Sequence, residues 1–397
     1  MLPAKFKHNP RIIAASGTGA RRDIGLIALE LEDLPSDTWS EIRTSASRSC
    51  VNAETSQRNG SRRFILSGTD RDVRDLASRL AGAADTSYVA EEIVGTIDAS
   101  SQLRFSVDFP GGVLELGSAP LIMGVLNVTP DSFSDGGLYF REQNAVERAL
   151  EMIAQGADII DVGGESTRPG AQPVSVEDEL RRVLPVISGI AETTSVPISV
   201  DTYKAKVAEE ALGAGAKILN DISALRFDPK MASVVADHAV PVILMHIRGT
   251  PRDMQQDPIY IDVVSEIIAY LRASLAHAID NGIAWERTII DPGIGFGKTV
   301  RDNLEIVTRL PEFAGLGRPV LMGTSRKSFI GKVLGLEVGD RVFGTATTVA
   351  ASVLGGAHIV RVHDVAEMRQ VARMAAALRS QNQPEAVAPD IVGAQKQ

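Results

Sequence analysis

The chain of 397 residues is 44% hydrophobic and 23% charged, the composition of a soluble protein with room for one large domain and something smaller. Its net charge of -9 supplies no overall field for nucleic acid or an anionic membrane, so an anionic ligand has to be met by local positive groups. The single cysteine, Cys50, excludes an internal disulfide framework and a cysteine-built zinc site. The N-terminus has no sustained apolar run of the signal-peptide kind, and no window approaches the ~18 apolar residues of a spanning helix, which together point to the cytoplasm.

In chain order, residues 1–116 read as a small α+β domain. Ile24 to Leu31 (IGLIALEL) has the pattern of a strand. Ser47 to Ser61 is polar and reads as a loop. RRFILSGTDRDVRDLASRLAGA reads as a strand, a cap at Thr69 or Asp70, and an amphipathic helix. RFSVDFPGGVLELGS reads as two short strands around Pro110-Gly111-Gly112.

From Leu121 the chain settles into a rhythm of eight apolar runs: LIMGVLNV, ADIIDVGG, PISVDT, KILNDI, PVILMHI, TIIDPG, PVLMGTS and IVRVHDV. Continuous apolar runs are the mark of strands buried on both faces. Between them lie segments of helical period, such as AVERALEMIAQGA and KAKVAEEALGAGA, with Gly often following the last turn. Eight strand–helix units over 117–380 predict an α/β fold of the (β/α)8 TIM-barrel type, with the preceding hairpin suited to plug its N-terminal mouth. A doubly wound open sheet is the competitor. The polar residues decide between them, because nearly every run ends in one: Asn127, Asp161, Asp201, Asn220 with Asp221, His246, Asp291, Ser325, Arg361 with His363. A barrel gathers all those strand ends on one rim, whereas an open sheet strings them along an edge. Residues 381–397 have the composition of a disordered tail.

Several strand-end stretches suggest anion chemistry. DPGIGFGKT at 291–299 resembles a P-loop, but position 292 is Pro where the first glycine belongs, and Lys298 stands where a dinucleotide fingerprint needs its third glycine. GTSRKSFIG places Arg326 and Lys327 at a helix start that Ser325 or Ser328 can cap, a seat for carboxylate or phosphate; the alternative is a solvated basic turn. Arg361 and His363 are two apart on a strand and so point the same way, as an anion clamp or as part of a salt-bridged barrel interior. Arg168, before Pro169-Gly170 in DVGGESTRPGA, suggests a lid or else a solvated loop. Asp201, Asn220 and Asp291 can exchange hydrogen bonds with a flat, amide-like heterocycle, although a lone strand-end Asp commonly caps a helix. The histidines carry no zinc spacing; a metal held through oxygen, with most of its shell from water and a phosphorylated substrate, would be Mg2+.

Taken together, NVTPDSFSDGG (127–137), GGESTRPGA (163–171), VDTYK (200–204), LNDIS (219–223), MHIRGTP (245–251), DPGIGFGK (291–298), GTSRKS (323–328) and VRVHDV (360–365) resemble, in order, the signature loops of the dihydropteroate synthase family. The resemblance covers about two-thirds of the chain, from Leu121 to Leu378, and leaves residues 1–116 without a usable motif. It implies joining p-aminobenzoate to 6-hydroxymethyl-7,8-dihydropterin pyrophosphate, with pyrophosphate released. It further implies that Asp201, Asn220 and Asp291 hold the pterin edge with Lys327 against it, and that Met245 joins the same substrate-binding set. Asn127 would meet Mg2+ and pyrophosphate, Arg361 and His363 would clamp phosphate oxygens, and Thr167, Arg168 and Pro169 would come from the second loop. Ser328 would take the p-aminobenzoate carboxylate with Phe296 along its ring, and Asp135 would belong to the closing first loop. The implied mechanism is dissociative and calls for no strong base; the implied assembly is a homodimer, and sulfonamides would compete with the acceptor. Two rivals share the pterin pocket: a methyltetrahydrofolate-dependent methyltransferase, which has no need of GTSRKS or the Arg361–His363 pair, and a non-catalytic pterin-binding protein, in which loop residues would be lost.

Overall fold

The computed structural model describes residues 10–13, 26–58, 61–128, 138–167 and 172–381. None of its helices is long and apolar enough to cross a membrane, among the described residues. Two compact units emerge. One comprises Met1–Leu103, Tyr260–Arg272 and Arg309–Arg318; the other comprises Arg104–Ile259, Ala273–Thr308 and Pro319–Gln397.

The first unit is α+β. Strands β1 (Arg11–Ile13), β2 (Leu26–Glu32), β3 (Asn52–Arg58) and β4 (Ser61–Thr69) form an antiparallel sheet in the order β1-β2-β4-β3. Alternate residues of β2 and β4, namely Leu29, Leu31, Phe64 and Leu66, face helices α1 (Ser36–Ala46), α2 (Asp70–Leu80) and α3 (Ser87–Ser101). Thr69 starts α2 with a reciprocal capping box: its hydroxyl accepts from the Asp72 N–H and its own N–H donates to the Asp72 carboxylate. The polar run expected to be a loop instead contains β3, paired with β4 along its length. Of this edge strand Ala53 packs against the core, beside Val51 just before it, and its outward polar residues conceal the strand while protecting the edge from further pairing.

A buried charge cluster also belongs to this unit. Arg11 bonds Glu30 and lies 3.6 Å from both Asp262 and Glu312, while Arg63 reaches Glu30 at 2.8 Å and Asp262 at 3.2 Å. Arg309 adds contacts to Asp262 at 3.1 Å and Glu312 at 2.7 Å. Burial pushes the Asp262 carboxyl up, but Arg11, the Ser265 N–H, Arg309 and Arg63 together hold it far below the usual carboxylate range.

The second unit is the barrel. Its strands are β7 (Leu121–Asn127), β8 (Ile159–Gly163), β9 (Ile198–Asp201), β10 (Ile218–Asp221), β11 (Val242–Met245), β12 (Thr288–Asp291), β13 (Leu321–Met322) and β14 (Ile359–Val362). All pairings are parallel, in the order β12-β11-β10-β9-β8-β7-β14-β13, and a parallel bridge from Ile290 to Val320 closes the ring between β12 and β13. Helices α4 (Leu138–Ala154), α5 (Val176–Thr193), α6 (Ala205–Gly213), α7 (Met231–His238), α8 (Val263–Asp280), α9 (Val300–Thr308), α10 (Ser328–Leu334), α11 (Val342–Leu354) and α12 (Val365–Gln381) follow the strands in turn, α10 and α11 both coming after β13; residues 263–272 of α8 belong to the first unit. The hairpin β5 (Phe105–Phe109) and β6 (Gly112–Leu116) turns at Gly111, whose φ of +98° suits glycine. Its Phe105, Val107, Leu114 and Leu116 pack on Met123, Ile159, Ile218, Ile243, Ile289, Leu321 and Ile359. These seven residues come from seven different strands near their N-terminal ends, so the hairpin is the expected plug.

Candidate active site

Register brings the strand-end groups together. In the parallel ladder Asn127 lies beside Gly163, Gly163 beside Asp201, and Asp201 beside Asn220, so one row crosses β7 to β10. Gly163 leaves a gap in that row. A Cβ there would come within 3.5 Å of the Asp201 Cβ and 3.9 Å of Asn127 Oδ1, so both side chains border the same space.

One level deeper, Asp161 is fully buried and ties the row together. Its Oδ2 accepts from Arg361 Nε at 2.6 Å and from Asn220 Nδ2 at 3.1 Å, while Oδ1 has no hydrogen-bond partner among the described residues. Arg361 Nη2 donates to Asp201 Oδ2 at 2.7 Å, so the guanidinium is shared between two carboxylates, as in a salt-bridged interior. Burial pushes the Asp201 carboxyl up to about 7; Arg361 opposes this, and the nearby Asp161 adds to it. Asp291 is likewise raised by burial, against the Gly293 N–H that donates to its Oδ1 at 2.7 Å and the charges of Lys327 and Lys298. Buried carboxyls with raised pKa values that face polar strand ends suit a ligand bearing N–H donors, such as a flat amidine-like heterocycle. Ile222, Met245, Ile247, Met254 and Phe296 cluster beside them and supply an apolar wall.

The loop after β12 and the start of α10 meet at Lys327. Its ammonium sits 4.2 Å from the centre of the Phe296 ring, a cation–π contact. Neither Ser325 nor Ser328 caps α10, contrary to expectation; Lys327 occupies the N-cap position and its side chain makes no capping bond, and Ser328 is exposed. Ser325 Oγ instead accepts the His363 N–H at 3.2 Å and lies 3.0 Å from His363 Nδ1. Arg326, expected to add charge to an anion seat, is held in a two-pronged pair with Asp364, at a φ of +56°. Burial, with Arg361 and Arg326 nearby, drives His363 down to about 3, so its ring is neutral at physiological pH.

Other groups had escaped the sequence reading. Asp161 was visible only as one strand-end residue among many. Lys298 stood out only as a misplaced P-loop lysine, yet it is 3% exposed and packs on His246. Lys204 bonds both Glu165 and Glu179, and Tyr203 OH donates to Glu165 at 2.9 Å, which anchors the base of the second loop to β9. Asp221 turns back to accept from the Ser223 and Leu225 N–H groups at 2.8 Å, a loop staple rather than a ligand group. Asp135, Arg168 and Pro169 lie outside the described residues, as does the tail from 382; Thr167, half-buried, ends the described part of the second loop.

Barrel, plug and row of acid and amide groups define a pterin-binding barrel enzyme, and the sequence of the pterin binding enzyme family matches residues 123–363. Within it, this chain belongs to the dihydropteroate synthase family. The dihydropteroate synthase of Bacillus subtilis is 52% identical over 255 residues, which cover 64% of this chain and 86% of that one. Among solved structures, the Xanthomonas albilineans dihydropteroate synthase with 4-aminobenzoic acid is 44% identical at a TM-score of 0.66, covering 70% of this chain and 99% of that one. The Yersinia pestis dihydropteroate synthase in a sulfonamide drug complex is 40% identical at a TM-score of 0.66, covering 70% and 100%.

Proposed function

We infer that the barrel rim condenses 6-hydroxymethyl-7,8-dihydropterin pyrophosphate with p-aminobenzoate to give 7,8-dihydropteroate and pyrophosphate, a transferase step of folate biosynthesis. The observation that carries this reading is the Asn127–Gly163–Asp201–Asn220 row above Asp161 and Arg361, in a barrel that shares 52% of its residues with a dihydropteroate synthase. Asp201, Asn220 and Asp291 hold the pterin's donors and acceptors, Lys327 lies against its edge, and Met245 covers a face. Phe296 receives the aminobenzoate ring and Ser328 its carboxylate, with Thr167, Arg168 and Pro169 arriving from the second loop. Asn127, Asp135, Arg361 and His363 face the pyrophosphate, and the neutral His363 ring offers one N–H to a phosphate oxygen.

In the reaction the bond between the pterin's exocyclic methylene carbon and the pyrophosphate oxygen breaks, the aniline nitrogen bonds to that carbon, and one proton leaves the nitrogen. Charge stabilisation and exclusion of water are what the residues must supply, which accords with a rim that holds no free strong base in its ligand-facing row. Among the described residues no group of three or more His, Cys, Asp or Glu could hold a metal ion by itself. Mg2+ keeps several waters and takes few protein oxygens, so the Asn127 amide oxygen with water and pyrophosphate oxygens is a fitting donor set. When bound it would offset the negative charge that develops on the departing pyrophosphate.

The assembly we propose is a homodimer. Leu304 on α9, Val333 and Leu334 on α10 and Phe343 on α11, the last 82% exposed, give neighbouring helices of the barrel an apolar outer face that supports it. Sulfonamides, as mimics of the aniline acid, would compete at the acceptor position. The deciding experiment measures pyrophosphate release from the purified protein with the pterin pyrophosphate, with and without p-aminobenzoate and Mg2+. Release that depends on both, with dihydropteroate formed, is expected; pterin binding without turnover would overturn the reading.

A further inference from the structure

Lys298 is a buried ammonium with no role in the chemistry above. Its Nζ lies 2.9 Å from His246 Nδ1 and donates to the Phe296 carbonyl at 2.9 Å and, more weakly, to the His246 carbonyl at 3.4 Å. These acceptors are neutral, and among the described residues no carboxylate contacts the ammonium, so its burial is not compensated by an ion pair. Burial accordingly lowers it to about 7, with Asp291 opposing the shift and Lys327 adding to it. The chain retains this cost at a place where two loops are pressed together. A Cβ on Gly293 would fall 1.9 Å from the His246 carbonyl oxygen, and one on Gly297 would fall 2.7 Å from that of Arg248. Between these two contacts runs Ile294-Gly295-Phe296. Gly295 is held from outside by Asn303 Oδ1 on its N–H and Gln255 Nε2 on its carbonyl. The Phe296 carbonyl is held from inside by Lys298, and the Phe296 ring supports the Lys327 ammonium.

We propose that Lys298, bridging His246 and the Phe296 carbonyl, is a positioning residue for the acceptor substrate: it fixes the Phe296 ring, and through it Lys327, where the aminobenzoate ring must lie. The inference rests on the acceptor position assigned to Phe296 above. It acts through one backbone carbonyl, so its signature is selective. Losing Lys298 loosens the acceptor wall while Asp201 and Asn220 keep their own supports and Asp291 keeps the Gly293 N–H and the Lys327 charge.

The test compares K298M, F296A and the double variant in steady-state kinetics, with pterin affinity by calorimetry and thermal unfolding as controls. K298M is expected to raise KM for p-aminobenzoate about 5- to 10-fold, with kcat lowered less than twofold and pterin affinity unchanged. The double variant should be no worse than F296A alone, because both changes act through one ring. Multiplicative losses, or a kcat loss at unchanged acceptor KM, would show that Lys298 acts elsewhere. An F296A enzyme with normal acceptor KM would instead refute the acceptor assignment itself, whatever K298M does. If K298M does not fold, H246A removes the imidazole that anchors the Lys298 ammonium, leaves its bond to the Phe296 carbonyl, and is expected to raise the acceptor KM in the same direction by a smaller factor. Loss of cooperative unfolding in both variants would make the pair a folding element and overturn the proposal.

Discussion

The two units of the molecule both bury arginines among carboxylates, with opposite electrostatic outcomes. In the first, Arg11, Arg63 and Arg309 meet Glu30, Asp262 and Glu312 in direct pairs, and Asp262 is held far below the usual carboxylate range despite its burial. At the barrel rim one arginine, Arg361, is divided between Asp161 and Asp201, Asp161 Oδ1 has no partner among the described residues, and Asp201 and Asp291 are raised. The difference lies in charge balance, not in hydrogen-bond satisfaction: Arg11 Nε and Nη1 and Arg63 Nε also lack hydrogen-bond partners among the described residues. Three arginines set against Glu30, Asp262 and Glu312 keep carboxylates ionised and hold a fold together, whereas a single arginine shared by two carboxylates leaves rim carboxyls raised and able to meet a ligand.

Four changes break or sharpen that contrast. R361M removes the cation shared by two rim carboxylates and should lower kcat/KM about 10^3-fold, the scale of losing a central charge-stabilising group; a drop below tenfold in steady-state assays would place Arg361 outside the machinery. R63M strips Glu30 and Asp262 of a partner in the closed cluster and should destabilise the protein by about 3 kcal/mol in urea unfolding, while folded enzyme keeps kcat/KM within about twofold. Equal damage to activity would erase the distinction between the clusters. D291N retains an acceptor for the Gly293 N–H and relieves a raised carboxyl, so stability should hold or rise by about 0.5 kcal/mol while pterin affinity falls about 10- to 30-fold; destabilisation with normal pterin affinity would make Asp291 structural.

The fourth change tests proton linkage at His363. Its pKa is about 3 in the folded protein against 6.5 ordinarily, so between those values the unfolded chain binds more protons than the folded one. Stability from this group is therefore full above pH 6.5 and is lost as pH falls toward 3. H363N should remove that contribution, seen as a smaller wild-type-to-variant difference at pH 4 than at pH 7 in denaturant titrations; parallel pH curves would mean His363 is not held neutral.

The sequence by itself determined the barrel, because strands buried on both faces are continuous apolar runs and their polar ends mark the rim: Asn127, Asp201, Asn220 and Asp291 were all visible in this way. It also specified the hairpin and the Thr69 cap, which are local chemistry written in neighbouring residues. Tertiary structure alone decided the rest. Edge strand β3 hides in a polar run because its pairing depends on β4, and its own pattern does not announce it. Asp364, which takes Arg326 away from the anion seat, is 38 positions distant. Asp161 acquires its role from Arg361, 200 positions away, and Lys298 from His246, 52 positions away. Side-chain periodicity tells which face a residue occupies, but the partner that shifts its pKa or consumes its hydrogen bonds is chosen by strand register and loop packing, and these exist only once the chain has closed.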